Sequence, residues 1–145
     1  MVGAEERIVG RFSVEVDLAN ADDIMRAGAG LISPAQVRRA RVRGVVDTGA
    51  ARLVIPESIA TQLGLTITGS AKVRYADGHT ADRGIAQLVH LSYAGRESIF
   101  NAIVEPARES ILIGAIVLED LDLIVDCTTQ RLIPRDPNQI ISEIE

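Results

Sequence analysis

The stretch RGVVDTGAARLVIPESIATQLGL, residues 43–65, sets an aspartate, Asp47, at the end of one apolar run and just ahead of another. A carboxylate at a buried or half-buried strand end is costly to ionise. Either Asp47 is an ordinary strand-end turn residue, or its chemistry is what the chain is for. The residues behind it favour a strand: in QVRRARVRGVV, Arg39, Arg41 and Arg43 occupy one face and Ala40 and Val42 the other. Those ahead of it favour a short helix, because Pro56 opens PESIATQLGL, helix formers follow, and Gly64 stops it.

Working outward, short β-branched runs broken by turn residues recur along the chain and predict an all-β fold with one or two short helices. RIVGRFSVEVDL, residues 7–18, alternates Phe12, Val14, Val16 and Leu18 with Arg11, Ser13, Glu15 and Asp17, as a half-buried strand does. ANADDIMRAGAGLISP reads as a long loop leading into a turn of helix after Ser33, with Pro34 at the first helical position. In KVRYADGHTADRG, Asp77-Gly78 between extended segments signals a tight hairpin, and a second hairpin turns near Ala94-Gly95. SILIGAIVLEDLDLIVD reads as a buried strand broken at Gly114, a short helix, and a strand over residues 123–125. No linker or low-complexity stretch divides the chain. A single domain is expected over residues 1–145: a strand and long loop in 1–34, the core in 35–134, and a tail in 135–145.

The composition narrows the function classes. At 145 residues the chain is about one domain, able to bury roughly 70% of its extended surface. A formal net charge of −5 offers no broad basic surface, which argues against nucleic-acid binding. No apolar run approaches the roughly 20 residues that cross a bilayer, so no membrane association is expected. The N-terminus lacks a basic stretch leading into an apolar core, and Cys127 is the lone cysteine. Both point to a cytoplasmic, reducing setting.

A bare Asp-Thr-Gly is weak evidence, but its surroundings are specific. VVDTGA runs into LVIP and a helix, and ILIG later repeats the pattern of an apolar run into glycine followed by a helix. With the Asp77-Gly78 hairpin and DLIVD, these segments span most of residues 37–134. Over that span the chain resembles the retroviral-type (retropepsin-like) aspartic proteases, as a single-domain prokaryotic or cellular member. The resemblance implies a single-domain acid-protease β-barrel, a two-fold homodimer and an aspartic endopeptidase, with Asp47 catalytic. Hydrolysis by aspartate uses two carboxyls on one water, one as general base and one protonated to polarise the scissile carbonyl. Two carboxyls about 3 Å apart cannot both be charged, a property for which the aspartic-protease pair is the standard illustration. One Asp-Thr-Gly per chain then requires Asp47 of each protomer to meet across a dimer axis.

The same resemblance gives the neighbours their roles. Thr48 would be buried, its hydroxyl bonded to the other subunit's loop. Gly49 would offer its N–H to the carboxylate and adopt a φ that a side chain resists. Gly114 would be a packing glycine where the active-site loop passes close to a strand. Tyr75, Ala76, Asp77, Gly78 and His79 would form a flap closing over substrate, although this tip is polar where the retroviral pattern has glycines with isoleucine. A peptide or protein substrate would add as an extended strand, its side chains entering pockets lined by Leu53, Ile55, Tyr75 and Ile113. The tail residues Ile140, Ile141 and Ile144 would either join an interface sheet or pack on their own subunit. No cofactor and no metal is implied. An alternative is a catalytically silent retropepsin-fold module for dimerisation or peptide binding.

Other residues carry blander readings. His79 and His90 lack partners at metal-ligand spacing, Cys127 reads as a small packing residue, and Asp126 as the start of a turn. The arginine stripe reads as a solvated strand face, with pairing to an acidic substrate the alternative. Ala50 has no hydroxyl to donate to Asp47. Members with Ser or Thr there gain a hydrogen bond that favours the ionised pair, so this chain is expected to work nearer neutral pH. A pH–rate profile checks this, and a maximum below about pH 4 would contradict it.

Overall fold

The architecture follows from two strand–loop–strand–helix units that clasp each other. In the computed structural model, which describes residues 11–145, the first unit is β2 (Arg39–Asp47), β3 (Leu53–Pro56) and α2 (Glu57–Gln62). The second is β6 (Arg96–Glu105), β7 (Ile111–Ile113) and α3 (Ala115–Asp120). They interlock through parallel pairs, β2 with β7 (Val46↔Ile113) and β3 with β6 (Val54↔Ile103), and β3 meets β7 antiparallel at Val54↔Leu112. Val46, Leu53, Ile55, Ile111 and Ile113 are essentially inaccessible to solvent, so this clasp is the centre of the core. Burying each such side chain contributes about 1.5–3 kcal/mol.

A strand ahead of the first unit closes the sheet. β1 (Arg11–Asn20) runs antiparallel to β2 on one side and to β5 (Thr80–Tyr93) on the other, with Leu18↔Ala40 and Leu18↔Leu91. The order β1-β2-β7-β3-β6-β5 thereby returns to β1 as a closed six-stranded barrel, and β4 (Ile67–Arg74) hangs on β5 outside the closure. β5 serves both because it bulges between Ala86 and Val89, where Leu88 takes φ 54°. Residues 80–86 make the hairpin with β4, and residues 89–92 complete the barrel. β8 (Leu123–Asp126) and β9 (Arg131–Pro134) form a separate two-stranded hairpin.

The expected all-β barrel is present, with departures in detail. The strand expected over residues 7–18 is seen from Arg11 to Asn20, and residues 7–10 lie outside the described part. The turn of helix expected after Ser33 is a 3-10 turn (Pro34–Gln36), and three short α-helices stand in place of the expected one or two. The extra one is α1 (Ala21–Gly28), inside the segment read as a loop. Its signals are local: the Asn20 side chain caps the Asp23 N–H at 3.0 Å, Asp22 and Asp23 sit in the first turn, and Arg26 pairs back to Asp22. The glycines that suggested a loop end this helix instead, with Gly30 at φ 76°.

The arginine stripe of β2 is a solvated face matched by acids on β1, since Asp17 lies opposite Arg41 and Glu15 opposite Arg43. Cys127 is exposed in the β8–β9 turn and packs no core. Asp126 does start that turn, accepting from the Thr128 and Thr129 N–H groups. The tail is held by buried Arg96, which donates to the carbonyls of Asp136 and Gln139, while Ile140, Ile141 and Ile144 stay exposed. Among the described residues no helix is long and apolar enough to cross a membrane.

α1 is bound to the barrel by Asp23, a buried carboxylate gripped by Arg38 through Nε and Nη2 at 2.9 and 3.0 Å and through its backbone N–H at 3.0 Å. The Arg38 hydrogen bonds outweigh burial and lower the Asp23 pKa to about 2. A carboxylate with a depressed folded pKa stabilises the protein fully above its unfolded value of about 3.9, and this contribution is lost as pH falls toward about 2. Arg38 is half exposed, so solvent screening holds the effect to about 1–2 kcal/mol. Asp23→Asn is expected to lose that amount at neutral pH in urea unfolding. The difference from wild type should narrow below about pH 4; a gap independent of pH would refute the linkage.

Candidate active site

β2 delivers Asp47 to the surface at a position fixed on both sides. Its last residues pair with β1 (Phe12↔Val46, Arg11↔Asp47) and with β7 (Val46↔Ile113). The carboxylate emerges beyond the buried Val46, with its side chain 22% exposed. The chain then turns tightly: the Ala50 N–H returns to the Asp47 carbonyl at 3.2 Å, and the Gly49 N–H donates to Asp47 Oδ1 at 3.0 Å. Gly49 does not use a left-handed backbone, contrary to expectation. Glycine suits the position because a Cβ there would stand 3.3 Å from Asp47 Oδ1.

The next residues are clamped by α3. Its first N–H groups, from Ala115 and Ile116, donate to the carbonyls of Ala50 and Ala51 at 2.8 and 2.9 Å. The approach leaves no room at Gly114, where a Cβ would lie 2.5 Å from the Arg52 carbonyl oxygen and 2.7 Å from the Ala51 carbonyl carbon. Thr48 is exposed and has no hydrogen-bond partner among the described residues, where the sequence suggested burial against a second subunit.

The β4–β5 hairpin reaches over this region. Its tip is a three-residue loop, Ala76-Asp77-Gly78, closed by the Tyr75 N–H to the His79 carbonyl and the Gly78 N–H to the Tyr75 carbonyl, both at 2.9 Å. Gly78 takes φ 92°, which glycine accommodates without strain. The Asp77 carboxylate accepts from the His79 N–H and ring, which keep its pKa low, the backbone bond first. The Tyr75 ring stacks on His79 at 4.4 Å, and its hydroxyl donates to Glu105 Oε2 at 2.5 Å. That bond pushes the Tyr75 pKa up, so the phenol stays a donor. Arg83 Nε completes the group, 3.0 Å from the Tyr75 oxygen and 2.9 Å from Glu105 Oε1.

A cavity of about 520 Å³ lies between the clamped loop, the hairpin and the segment following β6. Ala50 and Tyr75 both line it; Asp47 and the tip residues Ala76, Asp77, Gly78 and His79 do not. Of the expected pocket residues only Tyr75 contributes, because Leu53, Ile55 and Ile113 point into the core. Strands alternate faces, so their neighbours Val54 and Leu112 line the cavity instead.

Sequence reasoning missed the cations around the carboxylate. Arg11 Nη2 lies 3.3 Å from Asp47 Oδ2, while Arg11 Nε is buried with no partner among the described residues. Arg108, in the segment after β6, lines the cavity, and burial, then Arg11, lower its pKa. No local pattern announces either residue, since each reaches the site through a pairing or a loop set by the barrel. Among the described residues no group of three or more His, Cys, Asp or Glu side chains is arranged to hold a metal ion.

A family model described as aspartyl protease matches residues 33–125, well over half of the chain. Among solved structures, the chain is similar to the retroviral protease-like domain of Ddi1 from Leishmania major. The two share 17% identity with a TM-score of 0.49, over 70% of this chain and 90% of the other. No curated protein sequence matches.

The clamp at Gly114 makes a direct prediction. Gly114→Ala should force the loop after Asp47 away from α3 and cost about 1–3 kcal/mol, read from the urea midpoint. A midpoint equal to wild type would show that the contact is slack.

Proposed function

The chain belongs to the aspartyl protease family, and on that premise we propose that it is an endopeptidase whose active form is a two-fold homodimer of the retropepsin type. The observation that carries the reading is the setting of Asp47: a partly exposed carboxylate held by the Gly49 N–H, next to a cavity roofed by a hairpin. One such carboxylate per chain accounts for half of the chemistry, and a second copy would supply the rest. Asp47 of one protomer takes a proton from the attacking water, and the protonated Asp47 of the other donates to the scissile carbonyl oxygen. Collapse of the resulting gem-diol breaks the C–N bond: the departing amine takes the proton now held by the first Asp47, and the second Asp47 recovers a proton from a gem-diol hydroxyl. The pair titrates as a unit. Thr48 is exposed on the lone protomer, which leaves its hydroxyl available for a bond across the dimer axis. The β4–β5 hairpin, with Tyr75 pinned by Glu105 and Arg83, acts as the flap over an extended peptide.

The Arg11–Asp47 ion pair favours a second reading, a catalytically silent peptide-binding module, because it commits the carboxylate to a cation within its own protomer. Activity separates the two. Asp47→Asn should lower kcat on a peptide library by roughly 10²–10⁴-fold or more, and the wild-type particle should weigh twice the 15.5 kDa chain. Cleavage that survives the substitution, or a strict monomer that cleaves, would reject the dyad mechanism.

A further inference from the structure

The cavity beside Asp47 is opposite in charge to the chain as a whole. The formal net charge is −5, yet the lining holds Arg52, Lys72, Arg74 and Arg108 against one acid, Glu105. Glu105 is already engaged on both oxygens, by Tyr75 and by Arg83. Two of the cations are also committed: Arg52 donates to Asn101 Oδ1 at 2.8 Å, and Lys72 pairs with Asp82 at 3.2 Å. Arg74 and Arg108 take part in no ion pair among the described residues. Arg108 is oriented by Ser110, donating to its carbonyl and hydroxyl at 2.9 and 3.3 Å, both neutral acceptors. Burial, then Arg11, disfavours the charged guanidinium more than the nearby Glu105 and Asp47 favour it, so a carboxylate in direct contact would stabilise it. Val54, Val73 and Leu112 supply an apolar wall in the same cavity.

We propose, on the endopeptidase reading above, that this cavity is a subsite selecting an acidic side chain of the peptide. The carboxylate of a glutamate or aspartate pairs with Arg108 and Arg74, while its methylenes lie against Val54, Val73 and Leu112. Charge-assisted bonds to a partly desolvated guanidinium are stronger than those to a solvated one, and Arg offers a fork that fits a carboxylate. The subsite also sets register: Ala50, three residues after Asp47, lines the same cavity, so an anchored side chain places a neighbouring peptide bond close to the aspartate.

The test is a set of extended peptides carrying Glu or Gln at each position in turn, with cleavage sites mapped by mass spectrometry. At one position flanking the cleaved bond, kcat/KM for Glu should exceed that for Gln by about tenfold, and the ratio should shrink as salt rises. In Arg108→Gln and in Arg74→Gln, each a single-charge removal, the Glu-to-Gln ratio should fall to within about threefold. Arg74 is exposed, so its variant remains informative if Arg108→Gln does not fold. Titration of the same labelled peptides into Asp47→Asn protein reads the subsite without hydrolysis, and Glu should again bind about tenfold tighter than Gln. If wild type cleaves nothing while this binding preference holds, the endopeptidase reading fails and the acidic subsite stands. A Glu-to-Gln ratio near one in binding, or a preference that both arginine variants leave unchanged, overturns the subsite.

Discussion

The site depends on the close passage of the loop after Asp47 over the start of α3. Two carbonyls on that loop would otherwise want partners at a crowded point of the fold, and the first N–H groups of α3, which lack partners within the helix, supply them. The exchange satisfies both sides only because residue 114 has no side chain. The parallel pairing of β2 with β7 sets this geometry, since it brings the end of the strand bearing Asp47 level with the end of the strand leading to α3. The fully buried Val46 and Ile113, opposite each other in that pairing, lock the register. A one-residue slip would turn both to the opposite face.

Around this fixed point the protein places charge unevenly. Its outer strands balance acids against bases, as β1 does against the arginines of β2. Near Asp47 the balance is abandoned: Arg11 contacts the carboxylate, Arg108 and Arg74 border the adjoining cavity, and the nearby acid Glu105 is occupied by Tyr75 and Arg83. The Tyr75–Glu105–Arg83 group ties the hairpin to β6 just below its tip, while the Asp77–His79 tip stays exposed. A hairpin pinned just below a polar tip differs from one whose tip is built of glycines.

Much of the barrel was legible residue by residue. The alternation in β1, the arginine stripe of β2, the turns at Asp77-Gly78 and Ala94-Gly95 and the break at Gly114 all rest on local backbone or side-chain periodicity. The helix after Asn20 was legible too, through its cap and its first-turn acids, but Gly28 and Gly30 outweighed those signals in a reading by composition. The two faces of β3 were harder. LVIP is an unbroken apolar run, so no alternation says that Leu53 and Ile55 face the core while Val54 faces the cavity.

The order of residues alone determined that a carboxylate would stand at a strand end, bracketed by glycine and followed by a helix, once per chain. It could not determine what surrounds that carboxylate. Arg11 reaches Asp47 through an antiparallel register spanning 36 positions (47 − 11), and Arg108 and Tyr75 border one cavity although one lies in the β6–β7 connection and the other beside the tip of the β4–β5 hairpin. Such encounters are decided by closure of the barrel, because local propensity acts over a few residues whereas a site's electric field is the sum over whatever the fold brings within several ångströms.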